Sequence, residues 1–325
     1  MTLDAQILSA LRQAGESGVG HATLALNVRQ ELHVVTERIE ELRRLGYDIE
    51  FTPHLGFRLR GVPDLLHADD LISRLSHPRI IGRDIRVFHE TSSTNDVVEK
   101  LARDGVREGV VVFAESQTKG RGRLGRRWLS PAGQGLWFSV LLRPNLPPAS
   151  VTQLTIASAT AVARAISRQT GLTPQIKWPN DILLGGKKVV GILTELSAEL
   201  DQVRHVILGV GVDVNLTAFP MEISEVATSL ALTAGRPFPR AEIATAILQE
   251  LETDYARVGQ GDFAILAEEW ERQCVTLGHR VQIHIGDRVL SGRAESLDTD
   301  GALLLRSDYG HLERIVGGDV RIARQ

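Results

Sequence analysis

The chain has 325 residues, room for two or three domains, and its 43% hydrophobic and 24% charged residues give the profile of an ordinary globular protein. With 37 Lys and Arg against 40 Asp and Glu the net charge is −3, so no global positive field points to nucleic acid. The single cysteine, Cys274, excludes a disulfide framework and a four-ligand cysteine site, and the acidic N-terminus and lack of a long apolar run give the expectation of a cytoplasmic chain with no membrane segment.

Taken in chain order, the patterning predicts a mixed α+β protein. In residues 1–62, Ile7, Leu8 and Leu11 fall at helical spacing, as do Leu32, Val35, Ile39 and Leu42. Two short strands, YDIEF and FRLR, follow around a turn at Thr52–Gly56. Helices ending in a small hairpin read as a winged helix-turn-helix. Residues 63–79 read as a linker holding one short helix. Residues 80–272 alternate strands and helices: 86–89, 110–114, 136–142 and 206–215 are strand-like, and 95–103, 150–169, 240–257 and 262–272 are helical. Gly185-Gly186 between DILL and KVVGILTEL is a two-residue hairpin signal, so the central sheet is expected to be mixed. Residues 273–325 show short strands and turns, the pattern of a small SH3-like β-barrel.

The most informative local feature is an absence of acids. From Ser116 to Asn180 there is no Asp or Glu, against nine cations, five of them in the string KGRGRLGRR at 119–127. Uncompensated cations in a net-acidic chain point to a local anionic partner. The string contains GxGxxG, but WLSPAGQG follows it where a dinucleotide fold needs a helix, and no acid occurs before Asp181 for a ribose hydroxyl. A nicotinamide oxidoreductase is therefore disfavoured. There is no P-loop, no HExxH and no G-x-S-x-G elbow. What remains is a flexible arginine-rich loop whose amides and guanidinium groups can wrap a phosphate or carboxylate, or else a solvated basic surface.

Two further strings belong with it. Lys177-Trp178-Pro179-Asn180-Asp181 ends a strand just before the Gly-Gly hairpin that delivers Lys187 and Lys188. Upstream, Thr91-Ser92-Ser93-Thr94-Asn95 sits between a strand and a helix, where one such residue would cap; five in a row exceed what a cap uses. Gln117 adds an amide before the basic loop.

Together TSSTN (91–95), ESQTKGRGRLGRRW (115–128), KWPND (177–181), KKVVGIL (187–193) and GVGVDVN (209–215) resemble the biotin protein ligase family. With the N-terminal segment, the chain is similar to its bifunctional members, which are ligases and biotin-operon repressors. The resemblance implies a biotin/lipoate ligase-like catalytic domain and a two-step reaction using biotin, ATP and Mg²⁺. Biotin would become biotinyl-5′-adenylate and pass to a lysine of an apo biotin carrier domain of a carboxylase.

By motif, Ser93, Thr94, Asn95 and Gln117 would hydrogen-bond the biotin head, and Arg121, Gly122 and Arg123 would form the loop closing over the adenylate. Lys188 would contact the biotin carboxylate and α-phosphate as the main electrostatic catalyst, with Arg123 beside it. Asp181 would organise Mg-ATP. Gly209 and Gly211 would let the strand backbone approach the ligand, and Trp128 and Trp178 would serve in packing. The resemblance also implies a homodimer on ligand binding. Two positions depart from the family pattern: Asp213 stands where Asn is usual, and Leu124 where the repressor type has a further arginine.

Residues 1–62 hold eight acids and seven arginines, and Arg29, Glu31 and Leu32 fall where a small turn residue and a Ser-Arg pair usually open the recognition helix. Arg58 and Arg60 remain as wing cations for operator DNA. The alternatives are a lipoate or octanoate ligase, which shares the catalytic fold, and a biotin-sensing regulator without catalysis.

Overall fold

The computed structural model describes residues 1–75 and 80–323; positions 76–79 of the expected linker and 324–325 lie outside the described residues. Three helices, α1 (Leu3–Ala14), α2 (His21–Val28) and α3 (Leu32–Arg44), precede a hairpin of β1 (Asp48–Thr52) and β2 (Gly56–Gly61). Thr2 caps α1 by accepting from the Ala5 amide. Ile7, Leu8 and Leu11 of α1 pack with Val35, Ile39 and Leu42 of α3 into a core of their own. The turn between α2 and α3 puts Arg29 in the left-handed region at φ 55°, a conformation that favours a residue without a Cβ.

The wing cations are not free, contrary to expectation. Glu50 takes Arg58 at 2.7 Å and Arg60 at 2.9 Å, and Arg60 also reaches Glu16 at 2.7 Å. Arg12, Arg38 and Arg43 are paired as well, with Asp70, Asp4 and Glu40. The hairpin brings its own counter-charge on the facing strand, which a count of residues along the chain does not register.

Helix α4 (Ala68–Arg74) joins two bodies. Asp70 pairs with Arg12 of α1, while Leu71 and Leu75 sink into the central core. That core lies under a seven-stranded sheet. Its elements are β3 (Asp84–Thr91), α5 (Thr94–Arg103), β4 (Val110–Gln117), β5 (Gly135–Leu142), α6 (Thr152–Thr170), β6 (Gln175–Lys177), β7 (Asp181–Leu184), β8 (Lys187–Glu199) and β9 (Gln202–Asp213). Helices α7 (Leu230–Ala234), α8 (Arg240–Gln260) and α9 (Phe263–Gln273) follow. The order is β3-β4-β5-β9-β8-β7-β6, with β3 and β4 parallel and the other neighbours antiparallel, so the sheet is mixed. Every residue of β5 is buried; Val111, Phe113 and Phe138 face the α6/α8 side, while Val110, Val112 and Leu141 meet Val98 and Ala102 of α5 on the other. Gly185 and Gly186 turn the β7–β8 hairpin with φ 56° and 79°, the double positive φ that a two-residue turn requires.

One ion pair is fully interior. Arg240 of α8 donates to Glu115 of β4 at 2.7 Å and to the Gly135 carbonyl at 3.2 Å, and Glu115 accepts from the Leu66 amide at 2.7 Å. It fastens the segment before α4 to the strand that carries Gln117. The C-terminal strands β10 (Arg280–Ile285), β11 (Arg288–Leu297), β12 (Leu303–Ser307), β13 (Leu312–Ile315) and β14 (Asp319–Ile322) form an antiparallel sheet in the order β13-β12-β11-β10-β14. Its inward residues, Val281, Ile283 and Leu305 among them, are continuous with the central core. The sequence pattern revealed β10–β12 but not the two short closing strands.

Candidate active site

All eleven residues singled out from the sequence line one cavity of about 240 Å³. It opens where β4 and β9 end and β8 begins, beside the N-terminus of α5, the basic loop and the start of β14. The sheet order explains the convergence: β4 and β9 flank β5, and β8 pairs with β9.

The inner end of the cavity is neutral and polar. Ser93 stands at the N-cap of α5 yet makes no side-chain cap bond, so capping does not account for it. Gln117 Oε1 accepts from the Thr94 amide at 2.8 Å, and Gln117 Nε2 donates to Ser130 at 2.8 Å. The Thr94 and Ser139 hydroxyls are 2.7 Å apart, and Ser139 donates to Asn95 Oδ1 at 2.5 Å. Asn95 Nδ2 donates in turn to Glu195 at 2.6 Å. Ser139 and Glu195 were not visible as site residues: each is one polar side chain in an otherwise ordinary strand, and only pairing across the sheet brings them to Asn95.

The outer end is charged. Arg121 is held by Asp96 at 2.6 Å and Glu195 at 3.1 Å, and pairs through its backbone with Arg127, which closes the root of the loop. Gly122 donates its amide to the Arg126 carbonyl at 2.7 Å, and Leu124 at the tip takes φ 57°. Arg123 reaches Asn180 at 3.1 Å; burial, only partly offset by Asp181 and Asp319, pulls its pKa down. Arg126 pairs with Asp319 of β14 at 2.7 Å, so the C-terminal sheet touches the loop.

Lys188 Nζ lies 2.5 Å from Asp181 and 5.2 Å from the centre of the Trp128 ring. Asp213, also in the lining, is buried, and desolvation raises its pKa well above the usual carboxylate value against the opposing pull of Lys188.

Gly209 and Gly211 both line the cavity. A Cβ on Gly209 would stand 2.3 Å from Asn95 Oδ1, and one on Gly211 2.5 Å from Trp128 Nε1. Their missing side chains make room for Asn95 and Trp128. Trp128 and Trp178 both line the cavity, Trp178 while almost wholly buried. Among the described residues no three or more His, Cys, Asp or Glu side chains are grouped to hold a metal, and no helix is long and apolar enough to cross a membrane.

The biotin/lipoate A/B protein ligase family matches residues 87–213, and the biotin protein ligase C terminal domain matches residues 276–322. The bifunctional ligase/repressor BirA of Bacillus subtilis is 35% identical over 324 residues, 99% of each chain. The chain belongs to the biotin protein ligase family. Another relative, the biotin--[acetyl-CoA-carboxylase] ligase of Mycobacterium tuberculosis, is 36% identical over 248 residues, 73% of this chain and 88% of that one. Among solved biotin protein ligases, that of Aquifex aeolicus in complex with biotin and ATP superposes with a TM-score of 0.64 at 31% identity, covering 75% of this chain and all of that one.

Proposed function

We propose that the chain activates biotin with ATP as biotinyl-5′-adenylate and transfers it to a lysine of an apo biotin carrier domain, as in a carboxylase. The observation that carries this reading is the polarity of the cavity: a neutral donor–acceptor network at one end and Arg121, Arg123, Arg126 and Lys188 at the other. A bicyclic urea with an acid tail has the same two halves. The reaction sets one anion, a carboxylate, against another, the α-phosphate. Cations fixed where that charge builds up lower the barrier. Each charge-assisted hydrogen bond contributes roughly 1.5–3 kcal/mol.

Lys188 is the side chain we assign to the reacting oxygens, since its ammonium stands in the cavity lining over the Trp128 ring and beside Asp181. Its partner Asp181 is then the carboxylate left to face Mg-ATP. Mg²⁺ is commonly held by one or two carboxylates together with substrate phosphates, so Asp181 suits it without a closed cage of protein ligands; the ion would neutralise phosphate charge. Arg123 and Gly122 belong to the loop that covers the adenylate, and Ser93, Thr94, Asn95 and Gln117 to the urea end.

We read residues 1–62 as a winged helix-turn-helix, 63–79 as a linker, 80–272 as the catalytic domain and 273–325 as an SH3-like β-domain. A second role as a biotin-responsive repressor on operator DNA draws support from likeness to the Bacillus ligase/repressor across the N-terminal segment too; a homodimer on ligand binding is part of the same proposal. The ligase is tested by incubating the purified chain with biotin, Mg-ATP and an apo carrier domain and reading the carrier's intact mass. An ATP-dependent gain of one biotin is expected; a carrier that gains lipoate or octanoate but no biotin overturns the assignment.

A further inference from the structure

Glu195 does not line the cavity, yet two residues that do are fastened to it. It accepts from Asn95 Nδ2 at 2.6 Å and from the Arg121 fork at 3.1–3.2 Å. Paired with a guanidinium, Glu195 is a carboxylate and has only acceptor sites. That fixes the direction of every hydrogen bond behind it. Only the NH₂ of Asn95 can face Glu195, so the Asn95 carbonyl must face Ser139. Ser139 therefore spends its one proton on Asn95 Oδ1, at 2.5 Å. The Thr94 hydroxyl, 2.7 Å from Ser139 and 3.2 Å from the carbonyl of Gln117, then meets an oxygen that cannot donate to it on either side. Thr94 donates its proton into the protein and keeps lone pairs for the cavity.

We propose that Glu195 is a specificity-determining positioning residue: it polarises the Asn95–Ser139–Thr94 chain so that Thr94 presents an acceptor to an N–H of the ligand, while Arg121 keeps its second partner, Asp96, whatever stands at 195. The inference deepens the ligase reading and rests on it, since a urea edge supplies N–H donors whereas the apolar ring or chain of lipoate or octanoate supplies none. A glutamine at 195 keeps the size but can turn its amide either way, so the chain loses its fixed direction. An aspartate keeps the charge and the direction with a shorter reach.

The test compares wild type, Glu195→Gln and Glu195→Asp in biotin-dependent, Mg-ATP-driven labelling of the apo carrier, with KM for biotin and for ATP measured separately. Glu195→Gln is expected to raise the biotin KM about tenfold while the ATP KM stays within twofold, and Glu195→Asp to fall between it and wild type. A loss of folding or general activity would raise both constants or lower kcat alone, and would overturn the proposal. So would a biotin KM in Glu195→Gln within twofold of wild type. A wild-type chain that leaves the carrier unlabelled overturns the ligase reading itself, whereas a labelling wild type with an indifferent Glu195→Gln overturns only the role of Glu195.

Discussion

At the scale of single residues, Lys188 and Asp213 both line the cavity and differ in exposure. Lys188 is partly exposed and held by Asp181, so its removal leaves the fold in place. Replacing it by Ala is expected to cut adenylate formation by a factor on the order of 10²–10³, the usual cost of deleting one preorganised charge. Pyrophosphate release in the presence of biotin measures it, and release at the wild-type rate would remove Lys188 from the chemistry. Asp213 is desolvated, and its pKa in the folded chain lies above the unfolded value. A raised carboxyl pKa means the native state binds more protons, so stability is greatest below the unfolded pKa and falls as pH rises through the folded one. Asp213→Asn should therefore flatten the loss of thermal stability on going from acid to neutral pH. Unfolding curves across that range would show it, and parallel pH profiles for both proteins would contradict it.

At the scale of elements, the basic loop is a ribbon tied at three points: Arg121 to α5 and β8, Arg123 to Asn180, and Arg126 to β14. Arg123→Gly removes the middle tie and adds backbone freedom next to Leu124, which already takes a positive φ. The expected result is escape of the activated intermediate, read as biotin on lysines of a bystander protein by mass spectrometry; unchanged selectivity for the carrier would count against a covering role.

The loop was legible in the sequence because its chemistry is local: five cations and three glycines in nine residues. The same holds for the hairpin at Gly185-Gly186 and for the apolar stripes of α1 and α3. Features made by pairing across the sheet were not. Glu195 of β8 stands a hundred positions from Asn95 of α5, and neither the strand pattern nor the helix pattern betrays the meeting. The close contacts of Gly209 with Asn95 and of Gly211 with Trp128 were hidden for the same reason, since those side chains come from elsewhere in the chain. The short strands β13 and β14 lack enough alternation to register before β10 and β12 supply their partners.

At the scale of the whole molecule, charge pairing decides what the N-terminal unit can grip. Arg29 and Arg44 are the arginines of 1–62 without an ion pair among the described residues, since Arg58 and Arg60 are spent on Glu50 and Glu16. Each phosphate neutralised contributes about −0.9 to the slope of log affinity against log salt. Binding to operator duplex should therefore show a shallow slope of about −2 for each bound chain. A slope steeper than about −5 in a salt titration would mean that the wing pairs open on DNA and release their arginines.

Trp128 has a use that its place on the cavity floor creates. Of the four tryptophans, Trp128 and Trp178 border the cavity, Trp128 with an ammonium over its ring, whereas Trp137 and Trp270 lie outside its lining. A change of intrinsic fluorescence on adding a small molecule would therefore report chiefly on the two indoles that border the pocket. The protein carries its own optical gauge of occupancy, with no label to attach and no enzymatic turnover to follow.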